Sequence, residues 1–300
     1  MKELINLKID YAFKLIFGKE GNEAILIAFL NAALKLPQER RIEDMIMNPE
    51  LNKEYKEDKK SILDVRAVTI EGIQINIEIQ LSNQYDMERR SLYYWAEMYS
   101  RQMREGMAYK ELAKAVTINI LDFNYLNQTN NYHSVFHLFE DEEKFQLTDA
   151  LEMHFMELPK LISKWRRREV SPWESVLVRW LLLLEGSENQ EILKTLEEIA
   201  MQDPVLHQAM AAWEKTSDDP KVREEYFARR KVVLDEMAAV REAEIRLREA
   251  MQKGKAEGKA EGKAEGKAEV AKNLIDLGME ISKVAKATGM TEEEVKRLKV

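Results

Sequence analysis

The chain has no cysteine among its 300 residues, which excludes disulfides, thiolate zinc sites and cysteine nucleophiles. It lacks a surplus of positive charge as well: 46 Lys and Arg against 54 Asp and Glu give a formal net charge of -8. Non-specific affinity for nucleic acid rests on Lys and Arg neutralising phosphates. The surface as a whole is therefore no nucleic-acid magnet, and only a local basic groove stays open. Long apolar runs are missing too. Ala24 to Leu36 is interrupted by Asn31 and is too short for a bilayer core of ~30 Å; Leu181 to Leu184 is shorter still. The N-terminal MKELINLKID has no apolar core of a secretory signal. These absences predict a soluble, cytoplasmic protein with no membrane partner. Its length allows one to three domains, and 45% hydrophobic residues allow a substantial core.

What is present most clearly is SILDVRAVTIEGIQINIEIQL, residues 61–81. Two β-rich runs flank a tight Glu71-Gly72 turn. In the second run Ile73, Ile75, Ile77, Ile79 and Leu81 point one way, and Gln74, Asn76, Glu78 and Gln80 the other. That period predicts a strand with one face in a core and one polar face. Glu78 and Gln80 share the polar face, and Asp64 lies in the preceding strand of the hairpin. A hard cation such as Mg²⁺ takes oxygen ligands and keeps several waters; Asp64, Glu78 and the backbone carbonyl of Ile79 would supply such oxygens. Gln80 carries no charge, but its amide could orient an attacking water. The same alternation also fits an ordinary solvent-facing sheet surface.

Residues 4–17 have helical spacing, with Asp10 and Lys14 one turn apart, and 23–36 read as a buried helix capped by Asn22 and ended by Pro37. Residues 41–47 read as a first strand, and 51–60 as a charged loop. After the hairpin, Asp86 to Gly106 reads as a helix with Leu92, Trp95, Ala96, Tyr99 and Met103 facing the core; Arg90, Tyr94, Glu97, Arg101 and Arg104 lie on its other face. Residues 114–121, KAVTINIL, form another strand. From about 130 to 213 the pattern reads as helical, with Trp165, Trp173, Trp180 and Trp213 in its core.

The hairpin sequence LDVRAVTIEGIQINIEIQ and the following ERRSLYYWAEMYSRQMREGMAY resemble the PD-(D/E)XK nuclease superfamily. More narrowly, they resemble the Rpn family of recombination-promoting nucleases, also described as transposases. IDYAFKLIFG, EMHFMELPKL and the GK-rich tail are similar to that family as well. The resemblance implies an α/β, restriction-endonuclease-like core ordered helix, three strands, helix, strand. It implies a Mg²⁺ cofactor held by Asp64 and Glu78. Gln80 stands where the superfamily usually has lysine, a usual feature of the Rpn-like branch that leaves the general base open. Leu63, not proline, precedes Asp64. Asp10 matches the family's N-terminal motif and either adds to the site or is a helix-surface carboxylate. Arg89, Arg90, Arg101 and Arg104 are candidate DNA contacts because their helix follows the catalytic strand. Tyr93, Tyr94 and Tyr99 read as packing residues.

His133 and His137 are spaced i,i+4, but with no Glu after the first histidine a structural role is favoured. The expected organisation is a nuclease domain over 1–127, a helical domain over 128–215 and a charged helix over 216–253. A spacer of four GKAE repeats follows over 254–269, then a helix-turn-helix-like tail over 270–300. Each repeat glycine costs a helix about 1 kcal/mol against alanine. The function implied is a metal-dependent DNA endonuclease that hydrolyses phosphodiester bonds, tied to recombination or mobile elements. The alternative is a catalytically weak DNA-binding or assembly protein acting through its helical regions, which are also the expected route to a homo-oligomer.

Overall fold

Gln74–Gln80 forms the strand β3 of a six-stranded sheet. The structure, a computed structural model, describes residues 3–47, 65–83 and 85–298. Ahead of β3 come the helices α1 (Asp10–Phe17) and α2 (Glu23–Leu34), then the strands β1 (Met45–Met47) and β2 (Val65–Thr69). After it come α3 (Met87–Ser100), β4 (Ala115–Leu121), β5 (His133–Phe139) and β6 (Gln146–Glu157). The helices α4 (Leu158–Arg166), α5 (Val176–Leu183), α6 (Gln190–Ala200), α7 (Pro204–Asp218) and α8 (Pro220–Asp276) follow, and α9 (Ile281–Thr288) and α10 (Glu292–Arg297) close the chain. Asp64 and residues 51–60 lie outside the described residues.

The strand order is β1-β2-β3-β4-β6-β5. β2 pairs antiparallel with β1 and β3; β4 runs parallel to both β3 and β6, and β5 returns antiparallel along β6. The reversal between β2 and β3 is made at Gly72, whose φ of 84° falls where a side chain would be strained. One sheet face carries Ile75, Ile77, Ile79, Val116, Ile118, Ile120 and Met156. It packs into a core with Phe13, Phe17, Phe29, Leu181 and Trp213. The other face is roofed by α3.

Three expectations need correction. The stretch 130–213 is not helical throughout, because β5 and β6 occupy much of residues 133–157. The pattern misleads because β6 is buried on both faces around residues 153–156 and so does not alternate. The i,i+4 histidines equally share one side of a strand. Among the tryptophans of that stretch, Trp180 and Trp213 are fully buried, whereas Trp173 is 48% exposed.

The second correction concerns α3. It buries Met87, Ser91, Tyr94 and Met98, while Leu92 is exposed. The face expected to lie away from the core is therefore turned partly to the sheet. In the third, the polar face of β3 is not open: Asn76 and Glu78 are 2% and 3% exposed. A polar sheet surface and the polar flank of a helix satisfy each other here. Asn119 Nδ2 donates to Ser91 Oγ (2.9 Å) and to the His154 carbonyl (3.0 Å), and Ser91 Oγ lies 3.0 Å from Thr117 Oγ1.

The chain divides into two compact units, Met1–Met237 and Ala238–Val300. In the first, Tyr226 and Val233 of α8 join the main core. In the second, Ala271, Val284, Ala285 and Val295 form a small core of their own. The GKAE segment is part of α8, and Thr291 caps α10 by accepting the Glu294 N–H. Among the described residues no helix is long and apolar enough to cross a membrane.

Candidate active site

Glu78 is the centre of the polar layer between β3 and α3. Its backbone position is fixed by register, opposite Asn119 of β4. Its Oε1 accepts from Gln80 Nε2 at 2.5 Å and lies 2.5 Å from Arg90 Nη2. Its Oε2 is buried and, among the described residues, has no hydrogen-bond partner. A buried carboxylate oxygen left unpaired is costly, by about 1–3 kcal/mol or more for a charged group. Such an atom is the natural seat for an external cation or donor.

That orphan oxygen decides whether the residues fit a divalent metal. Among the described residues no group of three or more His, Asp or Glu converges to hold a metal. Mg²⁺ does not need one, since one or two carboxylates plus waters suffice. Glu78 Oε2 thus fits as one hard ligand. The Ile79 carbonyl turns toward the β2 side. Gln74 N–H donates to the Lys114 carbonyl and Asp122 N–H to the Gln80 carbonyl, so the even-numbered residues of β3 face β4. Asp64, the expected second carboxylate, lies outside the described residues.

Gln80 does something more specific than the sequence suggests: its amide steers Glu78 itself. Asp10 is held in a fork. Arg229 Nε donates to both of its oxygens at 3.0 Å, and Nη2 donates to Oδ2 at 2.5 Å. The hydrogen bond to Asp10 raises the Arg229 pKa above its already high value. Of the four arginines expected to touch DNA, Arg90 is folded onto Glu78 and Arg101 pairs with Glu97 at 2.8 Å. Arg89 and Arg104 are exposed.

One cluster contains no residue singled out in the sequence, and a second gathers the pair His133 and His137 with new partners. Lys8, 4% exposed, holds Asp122 at 3.1 Å, Glu185 at 3.3 Å and Glu188 at 2.7 Å. Burial works against its ammonium, but the Glu188 hydrogen bond and the three carboxylates overrule it and keep Lys8 protonated. Burial pushes both the Asp122 and Glu185 carboxyls up, against the pull of Lys8. The cluster sits at the end of the central strands, because Asp122 N–H donates to the Gln80 carbonyl at 2.9 Å. A lone lysine inside the apolar run INLKID was its only sequence signal.

The second cluster joins β5 to β6. His133 Nε2 lies 2.8 Å from His154 Nδ1, His154 Nε2 lies 2.7 Å from Glu152 Oε1, and His137 Nε2 lies 3.1 Å from Glu152 Oε2. Lys114 Nζ donates to Glu152 as well. An ionised carboxylate only accepts, so His154 carries its proton on Nε2 and, when neutral, accepts from His133 at Nδ1. Burial first, then the neighbouring His154, lowers the His133 pKa to about 4. The Glu152 carboxyl is held far below its usual range: burial opposes this, and hydrogen bonds from His154 and Lys114 prevail.

A family model described as a PD-(D/E)XK nuclease family transposase matches residues 7–243 of the chain. No curated protein and no solved structure gives a significant match. The matched span includes Asp10, Glu78, Gln80, Arg90 and both clusters.

Proposed function

This chain belongs to the PD-(D/E)XK nuclease family transposases, and from that premise we propose that it is a metal-dependent endonuclease that hydrolyses phosphodiester bonds in DNA, acting in recombination or mobile-element biology. The single observation that carries this reading is the Oε2 of Glu78 near the end of β3, buried and unpartnered among the described residues. Glu78, Asp64 and the Ile79 carbonyl would hold the cation, with Mg²⁺ the first candidate. When bound, a divalent ion acidifies water and offsets charge on a scissile phosphate.

The remaining work falls to the chain's own side chains. Gln80 and Arg90 clamp Glu78 Oε1, which aims Oε2 in one direction and lowers the reorganisation needed on loading. Arg89 and Arg104, exposed on α3 and just beyond it, supply charge for the DNA backbone. Asp10 serves as a positioning residue that fixes Arg229 of α8. Plasmid nicking tests the reading. Cleavage should require Mg²⁺, stop with EDTA and be lost in Glu78→Ala and Asp64→Ala. Undiminished cleavage by both folded variants would sink the site.

A second reading follows from Arg90, which already neutralises Glu78. In it the protein binds or assembles on DNA with little hydrolysis. Binding by the wild type with no cleavage under any divalent ion would favour it.

A further inference from the structure

β5 is the last strand of the sheet, and no other strand pairs with its outer edge among the described residues. Its sequence, HSVFHLF, contains no Lys, Arg, Asp, Glu or Pro. Natural edge strands are usually blunted by such residues or by a bulge, because a bare edge recruits another strand. Among the described residues the one guard here is a register irregularity around Phe136 and Leu138. Val135, Phe136, Leu138 and Phe139 are each 41–47% exposed. On the hairpin's return, Phe145 and Leu147 are 54% and 67% exposed. The strand is nonetheless held firmly from behind, by His133 on His154 and His137 on Glu152. A rigid, uncharged, apolar edge is thus presented to solvent.

We propose that β5 pairs antiparallel with β5 of a second copy of this chain, joining two sheets across a two-fold axis near Phe136. Self-complementarity of the neutral strand favours this occupant, and charge sets the direction. β5 runs into an acidic turn, Glu140-Asp141-Glu142-Glu143, and is preceded by the neutral, amide-rich Asn127-Gln128-Thr129-Asn130-Asn131. Antiparallel self-pairing centred on Phe136, the middle of the strand, lays the acidic turn of each copy toward the amide run of the other. Parallel pairing would bring the two acidic turns together. The centred register also sets Phe136 against Phe136, Ser134 against Leu138 and Val135 against His137, so apolar or neutral groups meet throughout. Such an interface is isologous and closes as a dimer, using up the β5 edge of both copies. It lies on the sheet and not on the helical regions.

Sedimentation velocity on the full chain tests it. The wild type should sediment as a dimer that dissociates on dilution, and Val135→Lys/Leu138→Lys should sediment as a monomer with an unchanged far-UV spectrum. Because the chain has no cysteine, a single Phe136→Cys should cross-link to itself on oxidation, while Tyr109→Cys, 83% exposed elsewhere, should not. The cysteine pair decides the matter if the lysine variant fails to fold. A wild type monomeric at every soluble concentration would overturn the proposal. So would a dimer that survives both lysines, or cross-linking no better at 136 than at 109. Flotation of a monomeric wild type with phosphatidylcholine vesicles would assign the apolar edge to a membrane surface and overturn it equally.

Discussion

Arg90 Nη2 lies 2.5 Å from Glu78 Oε1 across the α3–sheet interface, with the glutamate side chain 3% and the arginine side chain 22% exposed. A carboxylate this deep is stable because the guanidinium and the Gln80 amide share Oε1, the one oxygen engaged among the described residues. Removing the arginine leaves a buried charge with one neutral donor among the described residues, at a cost of about 3 kcal/mol. Arg90→Ala should therefore melt well below the wild type in EDTA. Mg²⁺ should recover more stability in Arg90→Ala than in the wild type, because a dication at Glu78 replaces the lost charge. Thermal melts with and without Mg²⁺ check this; equal Mg²⁺ responses in the two proteins would count against Glu78 as a ligand.

The strand that carries this pair was legible in the sequence because its period is strict. Ile75, Ile77 and Ile79 face the main core as the alternation requires. What covers the other face was not legible. α3 has apolar residues on more than one flank, and the sequence favours Leu92 and Trp95; the structure keeps Trp95 on the sheet but exposes Leu92, buries Tyr94, and sets Ser91 against Thr117 and Asn119. The choice depends on polar groups that satisfy one another across elements, and no periodicity encodes it. β6 escaped for a related reason: burial on two faces around residues 153–156 removes alternation. The candidate site was partly legible. Glu78 and Gln80 stand out by position, whereas Lys8 and Asp122 meet only through the fold, 114 positions apart in the chain.

Asp10 and Arg229 form a bidentate pair between α1 and α8, with side chains 18% and 25% exposed. Charge-assisted forks of this kind are stronger than neutral hydrogen bonds. Asp10→Asn and Arg229→Gln should each lower the unfolding free energy by about 1–2 kcal/mol, and the double variant should lose less than their sum. Both single variants should slow cleavage by the folded fraction to the same modest extent, because the pair acts as one unit. Loss of cleavage in Asp10→Asn alone would return Asp10 to the reacting atoms.

The histidine pair of β5 and β6 makes the first unit acid-sensitive. The folded His133 pKa is about 4, against 6.5 for the free side chain, so the folded form resists a proton that the unfolded chain takes up. Its stabilising contribution is complete above about pH 6.5 and drains away as the pH falls toward 4, by about 3 kcal/mol. Glu152, held below its usual range, acts in the same direction at pH values under 4.5. Urea unfolding between pH 7 and 4 should show this loss, and His133→Phe should flatten the slope. An imidazole resonance of His133 that titrates near 6.5 in the folded protein would refute the assignment.

The GKAE segment is helical but weakly so by its own chemistry. Gly254, Gly258, Gly262 and Gly266 recur every fourth residue, and a Cβ at any of them meets nothing within 4 Å. Lysines and glutamates each repeat at i,i+4, which sets like charges one turn apart and weakens the helix. Replacing all four glycines with alanine should stabilise the segment by about 1 kcal/mol per site, with no steric penalty. Amide hydrogen exchange over residues 254–269 should slow markedly in the alanine variant. In the wild type it should slow modestly as salt screens the like-charge pairs. Exchange unchanged by either treatment would mean that the helix is secured by contacts other than its own propensity.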